Sequence, residues 1–172
     1  PLSGRISRYE LSLMISSNYQ NQKSAGLIAP HGDTLIDLML QSNEIPQSKL
    51  RTNKKLECSD RNACDIELLI IGGFSPERGF MHKSDYEAVV NGNRTSSGYL
   101  FGLPIVMDTD REDILVGDRI LLKYNGQDLA ELLVEEKWEP DKVLEAQGCY
   151  GTTSLEHPAV RMIAMERKRF YL

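Results

Sequence analysis

Apolar residues along this chain come in short runs, separated by polar stretches that carry glycine, proline and asparagine. Residues 1–26 are rich in Ser, Asn and Gln around one apolar patch, Glu10–Ile15, and read as a flexible leader with a short helix. Arg5 and Arg8 among serines would also suit the remnant of a targeting segment. After the turn Pro30-His31-Gly32, the dense run Leu35–Leu40 suits a strand or a buried helical turn, and periodicity does not separate the two. Residues 41–56 are polar, with Pro46, and predict a surface loop. Cys64–Ile71 (CDIELLII) ends in Gly72-Gly73 and predicts a buried strand. Pro76 and Gly79 then force a turn over Phe74–Met81, whose terminal aromatics Phe74 and Phe80 can pack back on the body.

Ser84 and Glu87 have the spacing of a capping box and predict a short helix over 85–90, ended by Asn91-Gly92. Residues 93–98 read as a loop. Tyr99–Asp108 is strongly apolar, but Pro104 lacks an amide proton, so an edge or bulged strand is expected. The clearest local signal is ILLKY-NG-QDLAELLV. Asn125 and Gly126 both tolerate positive φ, which a type I′ turn requires, so Ile120–Val134 predicts a tight hairpin. Trp138 and Pro140 close it. Residues 141–146 predict one or two helical turns with Asp141 near the start, and 148–158 a loop. AVRMIAME and RFYL predict a last strand pair around Arg167-Lys168. No alternation of strands with long helices occurs. The sum is a β-rich α+β domain: a small, mostly antiparallel barrel or rolled sheet with a few short helices.

Composition places this reading in one soluble globular domain. The chain has 172 residues, 41% hydrophobic and 26% charged. Net charge is -5, from 25 acidic against 20 basic residues, which argues against a nucleic-acid surface. The local basic cluster Arg161, Arg167, Lys168 and Arg169 reads as a solvated hairpin turn. Three cysteines (Cys58, Cys64, Cys149) at no metal-ligand spacing suggest reduced thiols. With only His31, His82 and His157 beside them, no metal site is expected. No run of about eighteen apolar residues predicts a membrane span, and the first residues lack the order of a secretory signal.

Motifs that carry chemistry are missing. GxGxxG and GxxxxGK[ST] are absent, and Gly72-Gly73 suits a sharp turn better than a phosphate cradle. G-x-S-x-G and the thiol-protease signatures are absent too. His157, extended by Pro158, and His31, beside Gly32, are expected to be structural loop histidines. Asp65 and Glu67 would share one face of a strand, and without a companion base they are expected to face solvent or a basic partner. Trp138 and Tyr150 could form an aromatic platform, though core or rim packing is the expectation. No catalytic, substrate-binding or metal-binding residue is assigned.

Several stretches nevertheless resemble the ATP sulfurylase (sulfate adenylyltransferase) family, bacterial and algal type. They are IAPHGDTLIDLM, with Asp33 where the family usually has a second glycine, then DIELLIIGGFSPERGFM, LFGLPIVMDT, VGDRILLKYNGQDLA and KWEPDKVLEAQGCYGTTSLEHPAVRMI. IGGFSPERGFM and YGTTSLEHPAV are each specific, and the resemblance covers residues 27–172. It implies an amino-terminal PUA-like β-barrel that precedes a catalytic domain. The family's Gln-x-Arg-Asn and His-x-x-His motifs, which bind ATP and sulfate, belong to that next domain. Neither is present here: Arg61-Asn62 has Ser59 in the glutamine position. The resemblance thus implies a non-catalytic support for a catalytic domain, in the same chain or a separate one, completing a cleft wall or a subunit interface. ATP and Mg would be used by the full enzyme, which could be a homo-oligomer. A cytoplasmic location is implied, or a plastid one for an algal source. A cut domain interface would expose an apolar patch. The alternative is a stand-alone PUA-like binding or regulatory module with an RNA or protein partner, by analogy of fold.

Overall fold

The computed structural model describes residues 28–40 and 54–172; the leader expected over 1–26 and most of the loop expected over 41–56 lie outside the described residues, and that loop's last residues, Lys55 and Leu56, are strand instead. Within them the chain forms β1 (Lys55–Glu57), α1 (Asp60–Ile70), α2 (Lys83–Gly92), β2 (Asp108–Thr109), β3 (Arg119–Tyr124), β4 (Gln127–Leu133), α3 (Lys142–Tyr150), α4 (Pro158–Met165) and β5 (Phe170–Tyr171). β3 is the centre of a three-stranded sheet. It pairs in parallel with β1 (Leu56↔Leu122) and antiparallel with β4 (Ile120↔Leu132). β2 and β5 make a separate antiparallel pair.

The hairpin forms as its turn chemistry requires. Asn125 and Gly126 sit at φ 50° and 74°, the left-handed pair of a type I′ turn. A bulge between Leu122 and Lys123 shifts the register beyond them. The barrel expectation is coarsened: among the described residues the strands form two short sheets without closing, and one of the three ladders is parallel.

Two predicted strands are helices. CDIELLII lies in α1, because Ser59 caps the helix: its Oγ accepts the Asn62 N–H at 3.2 Å. Asn62, Ala63, Ile66 and Leu69 are the buried positions, a helical spacing rather than alternation. Asp65 and Glu67 therefore point to different sides of a helix and form no carboxylate pair. AVRMIAME is α4, with Pro158 in the first turn and Val160 and Ile163 buried three apart. The loop expected over 148–158 begins only at Gly151, because α3 runs on to Tyr150.

Other differences are local. Ser84 lies inside α2, and His82 holds the cap position without a side-chain bond to the helix amides. The exposed Lys83 amide instead donates to Glu136 at 2.7 Å, Glu87 lies 3.8 Å from Lys83, and Asn93 at φ 52° ends the helix. Residues 33–40 form neither a helix nor a ladder. Ile36 is buried and its amide donates to Ser75 Oγ, while the Leu38 amide donates to the Ile70 carbonyl. The edge or bulged strand expected over Tyr99–Asp108 does not form: Leu100 makes only an isolated bridge with Arg94, and the run enters a ladder only at Asp108 in β2. Phe74 packs 6.2 Å from Phe101, and Phe80 packs on the core, as expected of that turn.

Two apolar clusters hold these pieces together. One lies under the three-stranded sheet and joins Ile66 of α1 to Ile114, Ile120, Leu122 and Val134. The other joins Met81, Tyr86, Val89, Val90 and Val106 to Tyr171. Adjacent residues divide between them: Val106 and Tyr171 face the second cluster, Met107 and Leu172 the first. In the second, Glu145 of α3 is buried and its Oε2 accepts from the hydroxyls of Tyr86 (3.0 Å) and Tyr171 (2.8 Å). The ordering of α3 starts at Asp141, whose Oδ1 accepts the amides of Val143 (3.0 Å) and Leu144 (2.9 Å). Asp141→Ala is expected to cost about 1 kcal/mol, read as a thermal midpoint lower by about 2–4 °C. An unchanged midpoint would show that the cap carries no weight.

Candidate functional site

A cleft of about 580 Å³ opens where α1 begins and α4 ends, against the edge of β2. Its walls include Arg61, Asn62, Asp108, Met162, Arg167 and Lys168. Ser59 caps α1 at this mouth, and the Asn62 side chain turns back so that its Oδ1 accepts the Ser59 hydroxyl at 2.7 Å. Asn62 is buried, and its Nδ2 has no hydrogen-bond partner.

Arg167 comes from the far end of the sequence. Its side chain is only 8% exposed and lies 3.5 Å from Asp108. Nη1 donates to the Val106 carbonyl at 3.3 Å, while Nε has no acceptor. Arg61, half-buried, donates to the thioether sulfur of Met162 at 2.7 Å and makes no ion pair among the described residues. A thioether is a poor acceptor for a guanidinium. Both arginines act on Asp65, whose carboxyl burial pushes up while their charges partly draw it back. The cleft thus presents guanidinium and amide donors short of acceptors, with acids Glu57, Asp60 and Glu166 on its rim. Such a set can hold an oxyanion by hydrogen bonds. It contains no nucleophile beside a base.

The basic cluster is not a solvated hairpin turn. Arg161 lies in α4, Arg167 pairs with Asp108, Lys168 with Asp110 at 3.7 Å, and Arg169 with Glu112 and Glu139 at 3.0 and 2.7 Å. Acids meet Arg167, Lys168 and Arg169, while Arg161 donates to the Leu155 carbonyl at 3.2 Å, so these four charges form no basic stripe for a nucleic-acid backbone.

The other residues weighed from sequence stay apart. His31 bonds the Leu100 carbonyl at 3.0 Å and stands edge-on to Tyr99. His82 meets Glu135 at 2.9 Å on the surface. His157 packs 5.2 Å from Tyr150, with a buried Nδ1 lacking a partner. Trp138 packs between Tyr86 and Tyr171, at 5.8 and 6.0 Å, so it and Tyr150 pair with different rings. Burial pushes the Cys58 and Cys149 thiols up to about 11, far from a reactive thiolate at neutral pH. Among the described residues no group of three or more His, Cys, Asp and Glu could hold a metal ion. No described helix is long and apolar enough to cross a membrane.

Gly72 follows a helix rather than a strand, at φ 77°, and a Cβ there would lie 2.6 Å from the Ile36 carbonyl oxygen. Close backbone approach, not phosphate binding, explains it. Asp33 sits at φ 65°, a conformation that glycine adopts without strain, in keeping with the glycine that the family resemblance implies there.

Two short sheets, four described helices and two cores sharing β2–β5 define a mixed α+β domain with a small donor-rich cleft. The chain belongs to the PUA-like domain family, whose model matches residues 28–172. Over 155 residues it is 41% identical to a sulfate adenylyltransferase of Chaetomium globosum, an alignment covering 84% of this chain and 27% of that protein. Over 149 residues it is 37% identical to a sulfate adenylyltransferase of Ruthia magnifica, covering 83% of this chain and 37% of that protein. The chain therefore spans 27% and 37% of the length of these two relatives. Among solved structures it is similar to the hexameric APS kinase from Thiobacillus denitrificans, with TM-score 0.59 and 26% identity over 67% of this chain and 24% of that one.

Proposed function

We propose that this chain is the amino-terminal, non-catalytic domain of a sulfate adenylyltransferase and supports the catalytic domain that performs the reaction. The observation that carries this reading is the extent of the match: most of this chain aligns with enzymes of that name, but with only 27–37% of their length. In the reaction a sulfate oxygen attacks the α-phosphorus of ATP and pyrophosphate leaves. Two anions must be brought together, which requires concentrated positive charge and aligned donors at the reacting phosphate. The described cations are mostly spent on acids of this same chain, and no acid–base pair stands in the cleft. ATP and Mg belong, on this reading, to the remainder of the enzyme.

Leu115 and Val116, 61% and 62% exposed, lie beside the end of β4, where Leu133 is also exposed. They supply apolar contact for that remainder, whether joined in one chain or bound as a separate one. The hexameric state of the Thiobacillus neighbour supports an oligomer for the whole enzyme, which this reading places in the cytoplasm.

The purified chain, given ATP, sulfate and Mg, is expected to release no pyrophosphate and form no adenylyl sulfate above the protein-free control. Turnover that follows this chain through purification would overturn the non-catalytic assignment.

A further inference from the structure

We propose that the cleft at the start of α1 binds one compact oxyanion, a carboxylate or a tetrahedral oxyanion, against Arg61, Asn62 and Arg167. The proposal does not depend on the sulfate adenylyltransferase reading, and either can fail alone.

Four donor sets converge there without enough acceptors. The buried Arg167 guanidinium uses Nη1 on two long contacts, at 3.3 and 3.5 Å, and leaves Nε unpaired. Its partner Asp108 is shared, because Oδ2 also accepts the Lys168 amide at 2.7 Å. Arg61 has a thioether where a guanidinium fork normally finds a carboxylate. Asn62 is 4% exposed and carries an unpaired Nδ2. Ser59 caps only the Asn62 amide, so the first-turn amides of Asp60 and Arg61 remain open at the positive end of an 11-residue helix.

Buried donors left without acceptors carry a desolvation cost, and a bound oxyanion removes it. Waters can occupy part of the cleft, but they do not offer the guanidinium groups a charged acceptor matched to their fork.

The surrounding acids set the ligand's size. Glu57, Asp60 and Glu166 line the same cleft and Asp65 lies within electrostatic reach of both arginines. With Asp108, the lining acids outnumber Arg61, Arg167 and Lys168 by one, so hydrogen bonds rather than net charge hold the ligand. A polyphosphate or a nucleic-acid backbone would bring several charges against that acidic rim; a single carboxylate or tetrahedral oxyanion fits between the donors.

The test is titration of the 172-residue chain with sodium acetate and, separately, sodium sulfate. Ionic strength is held constant with sodium chloride, and the arginine Nε–H and asparagine side-chain signals are followed in nitrogen–proton spectra. Saturable shifts confined to Arg61, Asn62, Arg167 and the first turn of α1 are expected, with a Kd on the order of millimolar. Tighter acetate assigns a carboxylate ligand and tighter sulfate a tetrahedral one. Arg167→Gln would leave Asp108 buried without its cation and could unfold the domain, so Arg61→Gln is the informative variant. It is expected to weaken binding about tenfold with the rest of the spectrum intact, while Lys83→Gln on α2 leaves binding unchanged. Linear shifts spread over the surface, or full affinity in Arg61→Gln, would overturn the proposal.

Discussion

Gly148→Ala is expected to lower stability by about 3 kcal/mol, and the thermal midpoint by about 10 °C. On an exposed helix the same change normally gains about 1 kcal/mol, because alanine restricts the unfolded chain and favours helix. Here the sign reverses. Gly148 lies within α3, where α3 crosses α2, and a Cβ built on it would sit 2.1 Å from the carbonyl oxygen of Val90 and 2.9 Å from Val90 Cγ1. The obstructing atom is backbone, so no rotamer change relieves the overlap. The two helices must separate, and Val89, Val90 and Tyr86 lose packing in the second core as they do. Thermal unfolding followed by circular dichroism decides the matter. A midpoint equal to or above that of the parent chain would mean that α2 and α3 do not approach this closely.

Alkaline solution is expected to destabilise the domain progressively above about pH 9, below the pH at which arginine loses its charge. Burial, then the nearby Glu145 carboxylate, push the hydroxyls of Tyr86 and Tyr171 far above the ordinary value of 10.0. Burial pushes the Cys58 thiol from 9.0 to about 11. All three groups hold their protons in the folded state at a pH where the unfolded chain has released them. For groups raised in this way, the stabilisation is complete below the unfolded pKa and declines as pH rises. Between pH 9 and 11 the Cys58 thiol accounts for about 2.7 kcal/mol of loss. Above pH 10 each tyrosine adds about 1.4 kcal/mol per pH unit. Denaturant midpoints measured between pH 8 and 11 should fall on a steepening curve. Tyr171→Phe should flatten its upper part, even while lowering stability at pH 7 by removing one donor to Glu145. A flat profile through pH 11 is the outcome that rejects a buried Tyr–Glu–Tyr arrangement. Glu145→Ala, which strands both hydroxyls, is expected to cost about 3 kcal/mol at pH 7.

Where the sequence is legible, a few adjacent residues decide the backbone. Asn125-Gly126 specifies its turn through the φ values that the two residues accept, and flanking β-prone runs supply the strands. Asp141 can cap two amides of its own helix within three residues, so the start of α3 is equally local. The two misread runs, Cys64–Ile71 and Ala159–Glu166, are short and apolar enough to fit either period. Their deciding signals lay just upstream, in the Ser59 cap and in Pro158 at a helix start. The continuous apolar run Leu68-Leu69-Ile70-Ile71 also buries less than it promises, since Leu68 on α1 and Ile71 just after it remain exposed.

The cleft was illegible for a different reason. Arg61-Asn62 drew attention only as an incomplete family motif, and Arg167 only as part of a charge run. Met162, which Arg61 touches, is 101 positions away along the chain. Which basic residues find acids, and which are left with a thioether or nothing, follows from how α1, α4 and β2 pack. No local pattern encodes it.

The sequence by itself therefore determined the hairpin, the start of α3 near Asp141 and the family resemblance, because each rests on neighbouring residues or on long matched runs. Tertiary structure alone decided the parallel β1–β3 pairing, the two unclosed sheets, the close α2–α3 crossing at Gly148 and the convergence of Arg61, Asn62 and Arg167. Those features join distant segments, and their free energies depend on burial and on which groups compete for a shared partner.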